Sequence, residues 1–173
     1  MENRYRGLRV ADYDREKAVA YARRWAMGRN PAYYNYTGIG GDCTNFASQC
    51  VYAGAGQMNW RKVTGWYYAG ANNHSPSWTA VVYFYNFMVN NGGLGPFMRV
   101  AALGEVLPGD IVQIKFDGLA FEHTPVVLSV GNPATPENIL IAAHTIDSID
   151  RPLSTYAYTE LRPLHVLGVR KPN

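Results

Sequence analysis

An α+β fold, with helices first and an antiparallel sheet after them, is the architecture this chain predicts. Three features carry the prediction. Apolar residues recur at helical spacing up to about residue 90. Beyond Leu94 they form short runs bounded by turn residues, which is the pattern of strands. The chain also has 173 residues, 47% of them hydrophobic and 17% charged, which suits one packed domain with a real core. The domain reads as continuous over 1–173, with its core at about 12–167 and the helices on one face of the sheet.

Each element has a local reason. Asp12 to Arg15 cap a helix running to about Met27, with Ala18, Val19, Tyr21, Ala22 and Trp25 on its apolar face. Pro31 and the glycines make Arg29–Gly41 a loop. A second helix starts at Cys43, runs to about Tyr52 and ends at Gly54 and Gly56. Residues 57–78 form a long irregular stretch holding Trp60, Trp66, His74 and Trp78. Ser77 or Thr79 caps a third helix, from about Trp78 to Asn90, which Asn91-Gly92-Gly93 stops. Leu107 to Asp110 make a turn before a strand over 111–116, and Asp117-Gly118 closes a hairpin. Further strands are expected over His123–Val130, Ile139–Thr145 and Leu164–Val169. No internal repeat, linker or low-complexity segment interrupts the series.

Composition excludes several classes. The net charge is only +3 and Lys and Arg are scattered, so no nucleic-acid groove is expected. No apolar run approaches the length of a membrane span. Met1 to Gly7 lack the apolar segment of a signal peptide. Aromatics reach 13%, which suits either a sugar- or peptide-binding groove or an aromatic core. Cys43 and Cys50 lie seven residues apart on one helix, about 10 Å between Cα atoms, too far to bridge.

Cys43 is the candidate nucleophile. Two glycines precede it and Asp42 takes the N-cap, so the thiol sits in the first helical turn. The helix dipole there favours a thiolate and is expected to lower the thiol pKa. A buried, inert cysteine is the competing reading, and mid-helix Cys50 fits that one. Far downstream, His123 in Phe121-Glu122-His123-Thr124-Pro125 supplies a base in a strand. A helix-start cysteine followed by a strand histidine is the order of papain-like thiol enzymes.

The string Gly41-Asp42-Cys43-Thr44-Asn45-Phe46-Ala47-Ser48-Gln49 resembles the signature of the putative amidase domain family, a papain-like group related to CHAP and NlpC-type cell-wall hydrolases. Ser77-Trp78-Thr79, Leu107-Pro108-Gly109-Asp110-Ile111, Glu122-His123-Thr124 and Ala143-His144-Thr145-Ile146-Asp147 are similar to it as well. Together they cover about Asp12 to Leu167. Pro125 departs from the small apolar residue expected there and places His123 at the very start of its strand. The resemblance implies a papain-like cysteine hydrolase that cleaves amide bonds in peptides, of bacterial cell-wall type, and acts at the cell envelope or outside the cell. It implies Cys43 as nucleophile, His123 as base and His144 as the group that orients His123, with Asp147 as runner-up. Asp42 either binds a substrate amine or merely caps the helix.

No cofactor is expected. A metal site of Cys43, His123 and His144 lacks short ligand spacing. His165, in an apolar strand, reads as structural, and His74 as a loop residue. Trp66 and Trp78 are candidates for groove walls or core. Two other functions stay open: a thiol acyltransferase using the same residues, and a noncatalytic module binding glycan or peptide.

Overall fold

The computed structural model describes residues 7–173. Residues 1–6, most of the stretch read for a leader, lie outside the described residues. The elements in order are β1 (Leu8–Ala11), α1 (Arg15–Trp25), α2 (Cys43–Ala55), the two-stranded β2 (Tyr68–Gly70) and β3 (Asn73–His74), α3 (Pro76–Thr79) and α4 (Val81–Asn90). The strands β4 (Gly95–Val100), β5 (Ile111–Lys115), β6 (Val126–Val130), β7 (Ile139–Ala143), β8 (Ser148–Pro152) and β9 (Glu160–Pro172) follow. The mixed helix and antiparallel-sheet class is as the sequence predicts.

One seven-stranded antiparallel sheet organises the chain, in the order β1-β9-β5-β6-β7-β8, with β4 also on β9. The 13-residue β9 is its spine. It pairs with β5 through 160–164, with β4 through 164–170 and with β1 through 169–172. The sequence shows only the apolar middle of β9; its polar ends are strand because three partners supply the ladder. β1, β4 and β8 are short or mixed in polarity and carry no period-two signal, so only pairing makes them strands.

Period-two alternation gives the sheet two apolar faces. Ile111, Val126, Leu128, Ala142, Leu164 and Val166 meet Ala18, Ala22, Phe46, Cys50, Trp66 and Trp78 on the helix side. Val112, Ile114, Val127, Ile139, Ile141 and Ala143 form a second core with Val106 and Leu153 on the other side. The second face is covered by loops and short turns rather than by helices.

α2 is the central helix. Eleven of its thirteen residues are buried, so it reads as apolar nearly all round. Gly56, with φ 62°, ends it in a left-handed C-cap. Gly54 lets α1 approach: a Cβ there would sit 2.5 Å from Tyr13 and 2.7 Å from the Asp14 carbonyl. Asp14 N–H donates to Gly54 O at 3.0 Å across that contact, and the Asp14 side chain caps α1 by accepting from Lys17 N–H at 3.0 Å. The predicted third helix divides at Ala80, whose extended backbone separates α3 from α4.

Candidate active site

Gly40 and Gly41, with φ of 81° and 99°, turn the chain into α2. At Gly41 a Cβ would also come within 3.2 Å of Thr145 Oγ1, the atom that accepts from Asp42 N–H at 2.9 Å. This turn delivers Cys43 to the first helical position, 8% exposed, whereas Cys50 is fully buried. Both thiols are free. The first turn is stitched to the chain before β6. Thr44 and Thr124 share a hydroxyl hydrogen bond at 3.0 Å, and the Cys43 sulfur lies 3.8 Å from Thr44 Oγ1.

Burial is the dominant influence on Cys43 and pushes its thiol pKa up; the Thr44 hydroxyl and the backbone N–H groups of Thr124 and Thr44 pull the other way without prevailing. The expected lowering by the helix start is thus corrected. A dipole favours the anion by about 1 kcal/mol or less, while desolvation of a thiolate in an apolar cleft outweighs that. Cys50 is pushed up much further by complete burial.

His123 precedes β6 and bridges to Ile114 on β5, consistent with Pro125 shortening that strand. It is buried, and its Nε2 lies 3.2 Å from the Tyr156 hydroxyl. Burial, with Arg151 nearby as a second cause, lowers its pKa from 6.5 to about 4. His123 and Cys43 line one cleft of about 210 Å³, between Gly40–Gly41 on one side and Phe116, Ile146 and Tyr156 on the other. The structure therefore brings the two principal candidates to one place, and the Thr44–Thr124 hydroxyl pair ties the residue after Cys43 to the residue after His123.

The expected orienting groups go elsewhere. His144 is fully buried, with Nδ1 2.6 Å from Asp42 Oδ2, Nε2 2.7 Å from the Trp25 carbonyl, and its ring stacked 3.9 Å from that of Phe46. Both nitrogens are occupied, so it neither orients His123 nor completes a ligand set with Cys43 and His123. Asp147 pairs in two-pronged fashion with Arg29, at 2.9 Å on each branch. Asp42 makes no side-chain cap. Its carboxylate accepts from His144, from Asn45 Nδ2 at 2.9 Å and from Tyr36 N–H at 2.8 Å, with Arg29 Nε 3.4 Å away. Burial works to raise its pKa, but these hydrogen bonds win and hold it below the usual range. A carboxylate so engaged is not open to a substrate amine.

Residues 12–167 match the family described as Putative amidase domain. The chain belongs to that family. Over 150 residues the chain is 33% identical to "Uncharacterized protein YhbB" of Bacillus subtilis (strain 168), an alignment covering 81% of this chain and 44% of YhbB. The chain thus spans less than half the length of that relative. No solved structure matches it.

In this amidase-family domain Trp66 and Trp78 are core rather than groove walls, while Trp60 in the same loop is exposed. Trp66 and Trp78 are fully buried and donate to Ser48 Oγ and Asn45 Oδ1, each at 3.0 Å. His74 stacks on Tyr68. His165 is structural, its Nδ1 2.7 Å from buried Asp110, which Arg15 also holds. Among the described residues no helix is long and apolar enough to cross a membrane. Sequence reasoning missed Tyr156, the Thr44–Thr124 pair and Arg29. Thr44 and Thr124 stand in the motifs, but nothing along the chain pairs them; Tyr156 is one of thirteen tyrosines, and its contact with His123 exists only where its turn meets that ring.

Proposed function

We propose that this member of the amidase family is a cysteine amidohydrolase, with Cys43 as nucleophile and His123 as general base and acid. The observation that carries the reading is the shared cleft, the only place where a free thiol and a histidine with an unpartnered ring nitrogen come together among the described residues. A cysteine at a helix start beside a histidine just ahead of a strand is close to the arrangement of papain-like hydrolases, which supports that relation.

The electrostatics set the order of events. Burial keeps both the thiol and the imidazole uncharged at neutral pH. The proton therefore moves as the sulfur attacks, not before. The Cys43 sulfur bonds to the acyl carbon, the thiol proton passes to His123, and the carbonyl oxygen takes up the electron pair. That oxyanion meets the Cys43 backbone N–H at the start of α2, one of the donors a helix leaves unpaired. The C–N bond then breaks, and His123 returns its proton to the leaving amine. Water cleaves the thioester, with His123 taking its proton and passing it back to the thiol.

The substrate class is a peptide amide of the bacterial cell-wall kind; the motif resemblance to cell-wall hydrolases supports it. The test is mass spectrometry of products from a panel of muropeptides and peptide amides, wild type against Cys43→Ala. Cleavage by wild type alone, giving a new carboxylate and a new amine, is expected. Turnover persisting in Cys43→Ala overturns the reading. Transfer of the acyl group to an added amine instead of water makes the protein an acyltransferase using the same residues.

A further inference from the structure

We propose that Thr145 is a catalytic residue of this domain: its hydroxyl is the second hydrogen-bond donor to the oxyanion, beside the Cys43 backbone N–H. The inference rests on the amidohydrolase reading for its catalytic meaning.

Thr145 is held against its own backbone preference. Its φ is 84°. L residues rarely adopt that conformation, and a β-branched side chain there is a genuine outlier. A glycine would take the same turn freely. Strain of this kind persists where the surroundings impose it, and it collects at functional sites. The neighbours show what is imposed. His144 Nδ1 lies 2.6 Å from Asp42 Oδ2, and Asp42 N–H donates to Thr145 Oγ1 at 2.9 Å. Two consecutive residues are thus clamped to the residue that precedes Cys43.

The clamp fixes how the hydroxyl can act. A backbone N–H can only donate, so the Thr145 oxygen is the acceptor of that bond. Its own hydrogen has no acceptor among the described residues. Thr145 is exposed, and it lines the cleft that Cys43 and His123 share. The hydroxyl hydrogen is therefore left for a ligand.

Its place is beside the oxyanion. Asp42 has ψ 1°, so its backbone nitrogen and that of Cys43 are eclipsed and adjacent. One of the two N–H groups holds Thr145 Oγ1; the other, on Cys43, is unpaired among the described residues. An oxygen resting on the Cys43 N–H consequently lies next to the Thr145 hydroxyl. Successive N–H groups in a turn form an anion-binding concavity, and the hydroxyl adds a donor to it. Gly41 keeps the place open, because a Cβ there would come within 3.2 Å of Thr145 Oγ1. As the scissile carbonyl becomes tetrahedral, its oxygen takes up the electron pair between two donors that are already in position.

The test compares a peptide methyl ester with its thionoester, in which the scissile carbonyl oxygen is replaced by sulfur, a weak acceptor. The quantity read is kcat/KM, which reports acylation. Thr145→Val keeps the branched shape and removes the hydroxyl. It should lower kcat/KM on the oxygen ester by about 10²-fold and on the thionoester far less. Thr145→Ser should restore the wild-type preference for oxygen over sulfur. A merely structural threonine would slow both esters equally and leave that preference unchanged. If the valine variant does not fold, Thr145→Gly, which relieves the φ of 84°, serves in the same comparison. Equal loss on both esters, or wild-type kcat/KM in a variant without the hydroxyl, overturns the inference when Cys43→Ala is inactive. Turnover persisting in Cys43→Ala, or no ester or amide cleaved by wild type, sinks the amidohydrolase reading instead.

Discussion

His123 and His144 are both buried, both lie beside a central strand, and both stand in motifs resembling the same family, yet their surroundings differ. His144 has two acceptors, a carboxylate and a carbonyl, and no ring nitrogen is left over. His123 has one phenol, one unpartnered nitrogen and a cleft with a thiol in it. A buried histidine that is fully satisfied ties elements together. One left half-satisfied beside a free cysteine can exchange a proton. The contrast is one of hydrogen-bond completeness, not of burial or sequence context. His144 staples α1, the start of α2 and the end of β7 around Asp42, and so holds the helix that carries Cys43; His123 lines the cleft that Cys43 also lines.

The largest test of this contrast is a pair of alanine variants. His123→Ala should lower kcat/KM by about 10²–10⁴-fold with a melting temperature close to wild type. His144→Ala should leave the Asp42 carboxylate buried without its main partner and cost about 3 kcal/mol of stability. Turnover per folded molecule should fall far less than in His123→Ala. Melting curves and steady-state rates on both variants check this, and an exchange of the two phenotypes would break the contrast. Cys43→Ala belongs to the first class, with turnover lost and folding kept.

Acid should reveal the same difference. Because the folded pKa of His123 is lowered to about 4 from 6.5, the unfolded chain binds the proton first as pH falls. The stability tied to neutral His123 is fully present above about pH 6.5 and is lost progressively toward pH 4. The loss is at most about 3 kcal/mol across that window. Denaturant unfolding at several pH values should show this slope in wild type and a flatter one in His123→Gln. The acid limb of kcat/KM should likewise fall near pH 4 to 5 rather than near 6.5.

The two cysteines sharpen the contrast at smaller scale. Iodoacetamide at pH 8.5 should modify Cys43 slowly, because its pKa is raised, and Cys50 only after unfolding. Peptide mapping reads the ratio, and equal labelling of the native protein would contradict the difference in burial. The smallest effect is expected at Asp147→Asn, since its partly exposed pair with Arg29 should contribute only about 0.5–1 kcal/mol. Activity should be essentially unchanged, and a large loss there would restore Asp147 as the group acting on His123.

Much of the fold was legible because its signals are local. Asp14 ahead of a helical stripe, glycines on both sides of the Cys43 helix, and alternating Ile111–Ile114 and Ile139–Ala143 each declare their element without reference to anything distant. β1, β4, β8 and the ends of β9 were not legible, because their residues become strand only by pairing with chain far away. The candidate site divides the same way. Cys43 and His123 were found from helix start, strand position and motif. Tyr156 was not, because a tyrosine in a turn has no pattern until the turn is folded against His123. His144 and Asp147 were misplaced because order along the chain does not say which nitrogen meets which oxygen.

By itself the sequence determined the α+β class, a helix with Cys43 in its first turn, and a histidine at the head of an apolar strand run. These follow from periodicity, capping and turn chemistry, which act over a few residues. The tertiary structure decided the rest: that Asp42 is sealed among His144, Asn45 and Arg29, that burial raises the Cys43 thiol where a helix start alone would lower it, and that a phenol stands behind His123. Desolvation and hydrogen-bond partnership depend on what surrounds an atom in three dimensions, and no spacing along the chain encodes them.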